Sequence, residues 1–166
     1  MLGSTPVRVA IAAVALVGLV VGYQWWNSPE RQIHRMLSEV ASALSHDGVE
    51  TDLRALAAVA GLQTHLLPDV SIDLGRGSPL QGRQDVMAMA ARIRATSPMM
   101  RVQFFDPEIS ISGESSGTTR VTVQVTTRDD GGDEVAAAHV VTIVLVKEEG
   151  RWQVTSARVL PEDTPL

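Results

Sequence analysis

The chain has 166 residues, 45% of them hydrophobic and 20% charged, which is enough for one ordinary domain and too ordered a composition for a low-complexity protein. A formal net charge of -5 argues against a surface built to neutralise phosphates, so nucleic acid is not an expected partner. There is no cysteine, which removes disulfides, thiolate zinc sites, iron–sulfur clusters and cysteine nucleophiles.

The hydrophobicity is unevenly spread. Residues 9–29 carry no charge, and within them Val9 to Gly22 reads VAIAAVALVGLVVG. A helix over residues 9–26 spans roughly 27 Å, close to the thickness of a bilayer's hydrocarbon core, so this segment is predicted to cross a membrane. Tyr23, Trp25 and Trp26 follow it, where amphipathic rings settle among headgroups. A peptidase would need small residues there, and their absence favours a retained signal anchor over a cleaved signal peptide. Arg8 precedes the helix, so residues 1–8 are expected in the cytoplasm and everything after the anchor outside it, in the periplasm if the cell is bacterial. Gly18 and Gly22 share one helix face at the G-x-x-x-G spacing. That spacing allows a homodimer through the anchor and is equally a pair that a glycine-tolerant segment carries by chance.

Residues 27–160 are predicted to form one domain, followed by a short tail, 161–166. The part after the anchor holds all 19 Asp and Glu and every Lys and Arg except Arg8. Ser28-Pro29 is a helix start. Ile33, Leu37, Val40, Ala41 and Leu44 then recur at helical spacing until Asp47-Gly48. A second helix is expected to bury Leu53, Leu56, Ala57 and Ala60 and to stop at Gly61. Pro68 to Leu74 alternates as a strand, a glycine-rich loop follows, and a third helix after Gly82 presents Val86, Met89, Ala90 and Ile93. The period then falls to two. Residues 101–112, broken at Asp106-Pro107, residues 119–127, 135–146 and 152–159 read as four successive antiparallel strands, with 135–146 central because it is apolar on both faces near its end.

The predicted fold class is α+β: a cone-shaped curved antiparallel sheet packed against three helices, preceded by one transmembrane helix. LPDVSIDL (residues 67–74), LQGRQDV (80–86) and HVVTIVLVKEEGRWQV (139–154) carry a resemblance to the nuclear transport factor 2-like superfamily, which includes SnoaL-like cyclases and ketosteroid isomerase. The resemblance covers residues 30–160. It implies the cone and leaves the function open, because the superfamily holds enzymes, binding modules and assembly proteins.

In the isomerase-like members an acidic base ends the first strand, ahead of the glycine-arginine pair that opens the third helix, and the matching position here is Asp73. A carboxylate at a cavity mouth can abstract a proton beside a carbonyl. A second donor on the penultimate strand falls at His139, so the resemblance implies Asp73 and His139 as an acid-base pair. Both also read simply as rim or strand-end residues. The oxyanion-binding tyrosine expected near Ala41 is missing, the lone tyrosine being Tyr23 in the anchor. His34, His46 and His65 show no metal-binding spacing, so no metal or other cofactor is expected. The methionines and Trp152 read as core, and Arg101 and Gln103 as solvent-facing.

Two functions remain. One is a membrane-anchored extracytoplasmic module that binds a small hydrophobic ligand or a protein partner at the membrane. That architecture is similar to anchored assembly factors of type IV secretion and to proteins accompanying mammalian-cell-entry transporters. The other is a SnoaL-like cofactor-free isomerase, cyclase or dehydratase of a small hydrophobic substrate, using Asp73 and His139.

Overall fold

In the computed structural model, residues 28–128 and 131–161 are described. The segment expected to be an anchor, with Gly18, Gly22 and Tyr23, lies outside them, as does the tail after Pro161. Among the described residues no helix is long and apolar enough to cross a membrane.

Helix α1 runs Pro29–Leu44. Ser28 caps it by accepting the Arg31 N–H, and Ile33, Met36 and Leu37 are its buried side. It ends three residues before the Asp47-Gly48 stop expected from sequence. Ser45 turns extended, its hydroxyl donating to Ala41 O (2.7 Å) and accepting the Val102 N–H (2.9 Å). His46–Asp47 then forms β1, paired with Met100 and Met99.

Helix α2, Asp52–Val59, is capped by Thr51 and passes into a 3-10 turn, Ala60–His65, so Gly61 does not end it. Its buried face is the reverse of the predicted one. Ala55, Val59 and Leu62 are buried, whereas Leu53 is 81% and Leu56 51% exposed. The reason lies in the neighbour: α2 packs on α3, Arg83–Thr96, whose buried positions include Ala90 and Ala91. Small side chains on both helices permit a close approach that leucines would block.

Strand β2, Leu66–Asp73, and β3, Leu80–Gln81, precede α3. Four long strands follow: β4 Met99–Ser112, β5 Ser116–Arg128, β6 Glu134–Glu148 and β7 Arg151–Val159. The sheet order is β1-β4-β5-β6-β7-β2-β3, which puts β6 in the centre as expected. The wholly antiparallel expectation is corrected at one seam, where β2 runs parallel to β7. A strand's own alternation records which face is buried and not the direction of its neighbour, so this seam has no local signature. At Asp106-Pro107 the β4–β5 register shifts between Phe105 and Glu108, with Asp106 at φ 50°.

The result is a curled seven-strand half-barrel holding three helices. Ile33, Met36 and Leu37 from α1, Val59 and Leu62, and Val70, Val121, Ile143, Leu145, Trp152 and Val154 from the sheet fill the space between them. Gly117 makes room for the indole, since a Cβ there would stand 3.5 Å from Trp152 Cζ3 and 3.2 Å from Ile111 Cδ1.

Candidate functional site

Strands β2 and β7 stop at the same level while β6 continues past them, which leaves a notch at that end of the sheet. A cleft of about 560 Å³ occupies it, lined by Asp73, Leu74, Gly75, Arg76, His139, Arg158, Val159, Leu160 and Pro161. Both residues singled out by the family resemblance therefore border one cleft.

They reach it from different sides. Ile72 and Ala157 pack toward the core, so the next residues along, Asp73 and its register partner Arg158, point away from the helices. His139 is in phase with Val141, Ile143 and Leu145, on the helix-facing side. The Asp73 carboxylate is also engaged. Oδ1 accepts the Gly75 N–H at 2.9 Å in the turn that Gly75 makes at φ 73°, and Oδ2 stands 3.5 Å from Arg158 Nε. Arg76, His139 and Arg158 thus surround the notch with donors, and Leu74, Val159, Leu160 and Pro161 supply an apolar floor. This arrangement suits an anionic head on an apolar body better than proton abstraction by Asp73.

Asp73 and Arg158 belong to a lateral row on the outer face of the sheet. Register places Glu108, Arg120, Thr142, Arg158 and Asp73 side by side across five strands. Cross-strand neighbours of opposite sign stabilise a sheet modestly, so this row gives Asp73 a structural role independent of any ligand.

The remaining histidines have other duties. His46 Nε2 lies 2.9 Å from Ser97 O and His65 Nε2 lies 3.1 Å from Glu39, while His34 is exposed. Among the described residues no three His, Asp or Glu side chains gather as a metal site. Ala41 is half-buried on α1, and no phenol stands there. Arg101 and Gln103 face solvent, Met99 and Met100 are buried, and Trp152 is buried at 4% exposure, as read from sequence. A second, smaller cleft of about 370 Å³ lies between α1 and the β6–β7 turn beside Trp152.

Sequence reading missed a buried ion pair. Arg94, only 4% exposed on α3, grips Glu50 with two bonds of 2.8 and 2.9 Å and donates to Ala43 O and Ser45 O. The guanidinium holds the Glu50 carboxyl below the usual carboxylate range, chiefly through that hydrogen bonding. The signal was present: Met87, Ala90, Ala91 and Arg94 form one helical stripe, and a charge on a buried stripe needs a partner.

Comparison with known proteins agrees with this architecture. The profile of the SnoaL-like domain matches residues 38–158, and the chain belongs to that family. A comparison with curated sequences finds no match. Among solved structures the chain is similar to a protein of unknown function from Mycobacterium tuberculosis, with 17% identity, a TM-score of 0.65, and coverage of 84% of this chain and 74% of that one. It is also similar to a protein from Streptomyces avermitilis provisionally named a dehydratase of the NTF2-like family (19%, TM-score 0.61, 79% and 94%). A type 2 hexachlorocyclohexane dehydrochlorinase is comparable (12%, TM-score 0.64, 82% and 88%). At such identities the likeness establishes the fold.

Proposed function

We propose that the chain is a membrane-anchored, extracytoplasmic SnoaL-like module whose cleft binds a small apolar ligand bearing an anionic group, without turning it over. The observation that carries this reading is the state of Asp73. Among the described residues the one carboxylate lining the cleft, Asp73, is engaged by Arg158 and the Gly75 N–H, on the face of the sheet opposite His139. The missing oxyanion tyrosine supports the same reading. The uncharged run of residues 9–26 supports the anchor, with the domain beginning only two residues after Trp26.

The test uses the full chain in lipid nanodiscs and radiolabelled cinnamate, an aromatic body with a carboxylate, in equilibrium dialysis against empty nanodiscs. Saturable binding is expected, weakened about tenfold by Arg76→Ala through loss of a charge-assisted hydrogen bond. No saturable binding, or binding indifferent to Arg76, overturns the reading.

A second reading, a cofactor-free isomerase, cyclase or dehydratase, draws on His139 and Asp73 bordering one cleft and on the names of the two similar proteins. It requires Asp73 to leave Arg158 when substrate binds. Conversion of a substrate, abolished by both Asp73→Asn and His139→Ala, would establish it.

A further inference from the structure

The second cleft, between α1 and the β6–β7 turn, sits at the opposite end of the sheet from the first. Strand β7 begins at Arg151 beside the one and ends at Val159 beside the other, about 26 Å away. Its walls bring two arginines together from distant parts of the chain, Arg35 on α1 and Arg151 at the start of β7. Lys147 adds a third cation, its Nζ 5.9 Å from the centre of the Trp152 ring. Met36 and the indole supply apolar surface, and Gln32 and Thr64 carry polar groups at the edge. Two carboxylates are near. Glu39 stands 3.1 Å from His65, and Glu149 is 3.8 Å from Arg151, a contact exposed at both ends and therefore weak. Neither Arg35 nor Lys147 has a carboxylate partner among the described residues.

The floor of this cleft holds a donor with no acceptor. Trp152 is 4% exposed, and its Nε1 has no hydrogen-bond partner among the described residues. Buried donors are nearly always paired. The Cζ3 corner of the ring packs at Gly117 on β5, and Nε1 is bonded to the ring carbon opposite that corner. The N–H therefore points away from β5, on the side of the ring where the cleft lies. What suits two guanidiniums, an ammonium and an indole N–H is a compact group with several acceptor oxygens, and the planar forks of arginine match phosphate oxygens in pairs. Nε1 is covered, so an acceptor reaches it by parting the side chains over the ring.

We propose that this cleft holds the phosphate of an anionic phospholipid headgroup, in the outer leaflet of the membrane that carries the chain. The inference rests on the proposed anchor, and chain length supplies its geometry. Helix α1 starts at Pro29, three residues after Trp26, and Arg35 lies only about 9 Å along it. The headgroup layer is roughly 5–7 Å deep on each side of the hydrocarbon, which keeps the Arg35 guanidinium within reach of lipid phosphates. The domain as a whole is acidic and is repelled by an anionic surface, so a local group of cations beside the tether gives it one preferred orientation. The second cleft then faces the lipid. The first, at the far end of β7, opens away from the bilayer, where a ligand can enter it.

The test uses the full chain with isotope-labelled tryptophan in nanodiscs of phosphatidylcholine, alone or mixed with phosphatidylglycerol. The indole N–H signals are read by nuclear magnetic resonance and told apart with Trp25→Phe and Trp26→Phe. The Trp152 signal is expected to shift saturably as phosphatidylglycerol replaces phosphatidylcholine. Arg35→Ala and Arg151→Ala should each weaken that response about fivefold, the worth of one arginine near an anionic surface. Arg92→Ala, on the exposed side of α3, should leave it unchanged. Glycerol phosphate added to pure phosphatidylcholine discs separates a lipid headgroup from a free phosphate. A response to it as large as that to phosphatidylglycerol overturns the lipid assignment, as does a response indifferent to both arginines. Chains that fail to co-elute with phosphatidylcholine discs remove the anchor and this inference together, whereas chains that co-elute without any Trp152 response remove this inference alone.

Discussion

At Glu149-Gly150, two consecutive residues with positive φ, 50° and 79°, join Glu148 to Arg151. That is the two-residue hairpin turn whose first position favours asparagine. Glu149 gains little there, since its 3.8 Å contact with Arg151 is exposed at both ends. Glu149→Asn should stabilise the domain by about 0.5 kcal/mol, read as a rise of a few degrees in thermal midpoint. Arg94 predicts the opposite. Arg94→Ala leaves the partly buried Glu50 carboxylate and the Ala43 and Ser45 carbonyls without their donor and should cost about 2 kcal/mol, measured by chemical denaturation. The pair also sets a pH dependence. The Glu50 pKa is lowered on folding, so its contribution is complete above the unfolded carboxylate pKa and is lost as pH falls through the lower folded value. A wild-type stability curve should therefore drop more steeply on acidification than that of Arg94→Met with Glu50→Gln.

At the scale of elements, periodicity carried most of the fold. Helix α1, the extent of α3, the four long strands, the break at Asp106-Pro107 and the central place of β6 were legible from period and punctuation, but the face of α3 was not: Ile93, expected inside, is 38% exposed, and Ala91 and Arg94 are buried with Ala90 instead. What failed was whatever depends on a neighbour. The direction of β2 against β7 is one case and the buried face of α2 another. Leu53 and Leu56 outweigh Ala55 in hydrophobicity, yet the close contact with α3 rewards small size. Leu56→Glu should consequently change stability by less than about 0.5 kcal/mol, whereas Ala55→Leu, overfilling that contact, should cost about 2 kcal/mol in the same denaturation assay. The cleft was half legible for the same reason. Motif positions located Asp73 and His139 at one end of the sheet, but the Arg158 ion pair depends on the parallel seam.

For the molecule as a whole, the proposed anchor and the domain make separate predictions. The full chain should remain in the membrane pellet after alkaline carbonate extraction, and the domain should be open to protease added outside the cell. Recovery in the soluble fraction would remove the anchor. The flank of β4 bears on whether molecules can add to one another strand by strand. Among the described residues, that strand has no strand partner on this flank beyond β1, and past the Ser45 bond to Val102 it is a long open run at the rim of the sheet. The register shift there, with Asp106 at φ 50° and a proline lacking an N–H beside it, spoils the repeat that an incoming strand would copy. This kink works as a chain terminator. It blocks strand addition at this rim, whereas replacing Asp106 and Pro107 with valines should let the molecules associate through it and scatter light as concentration rises.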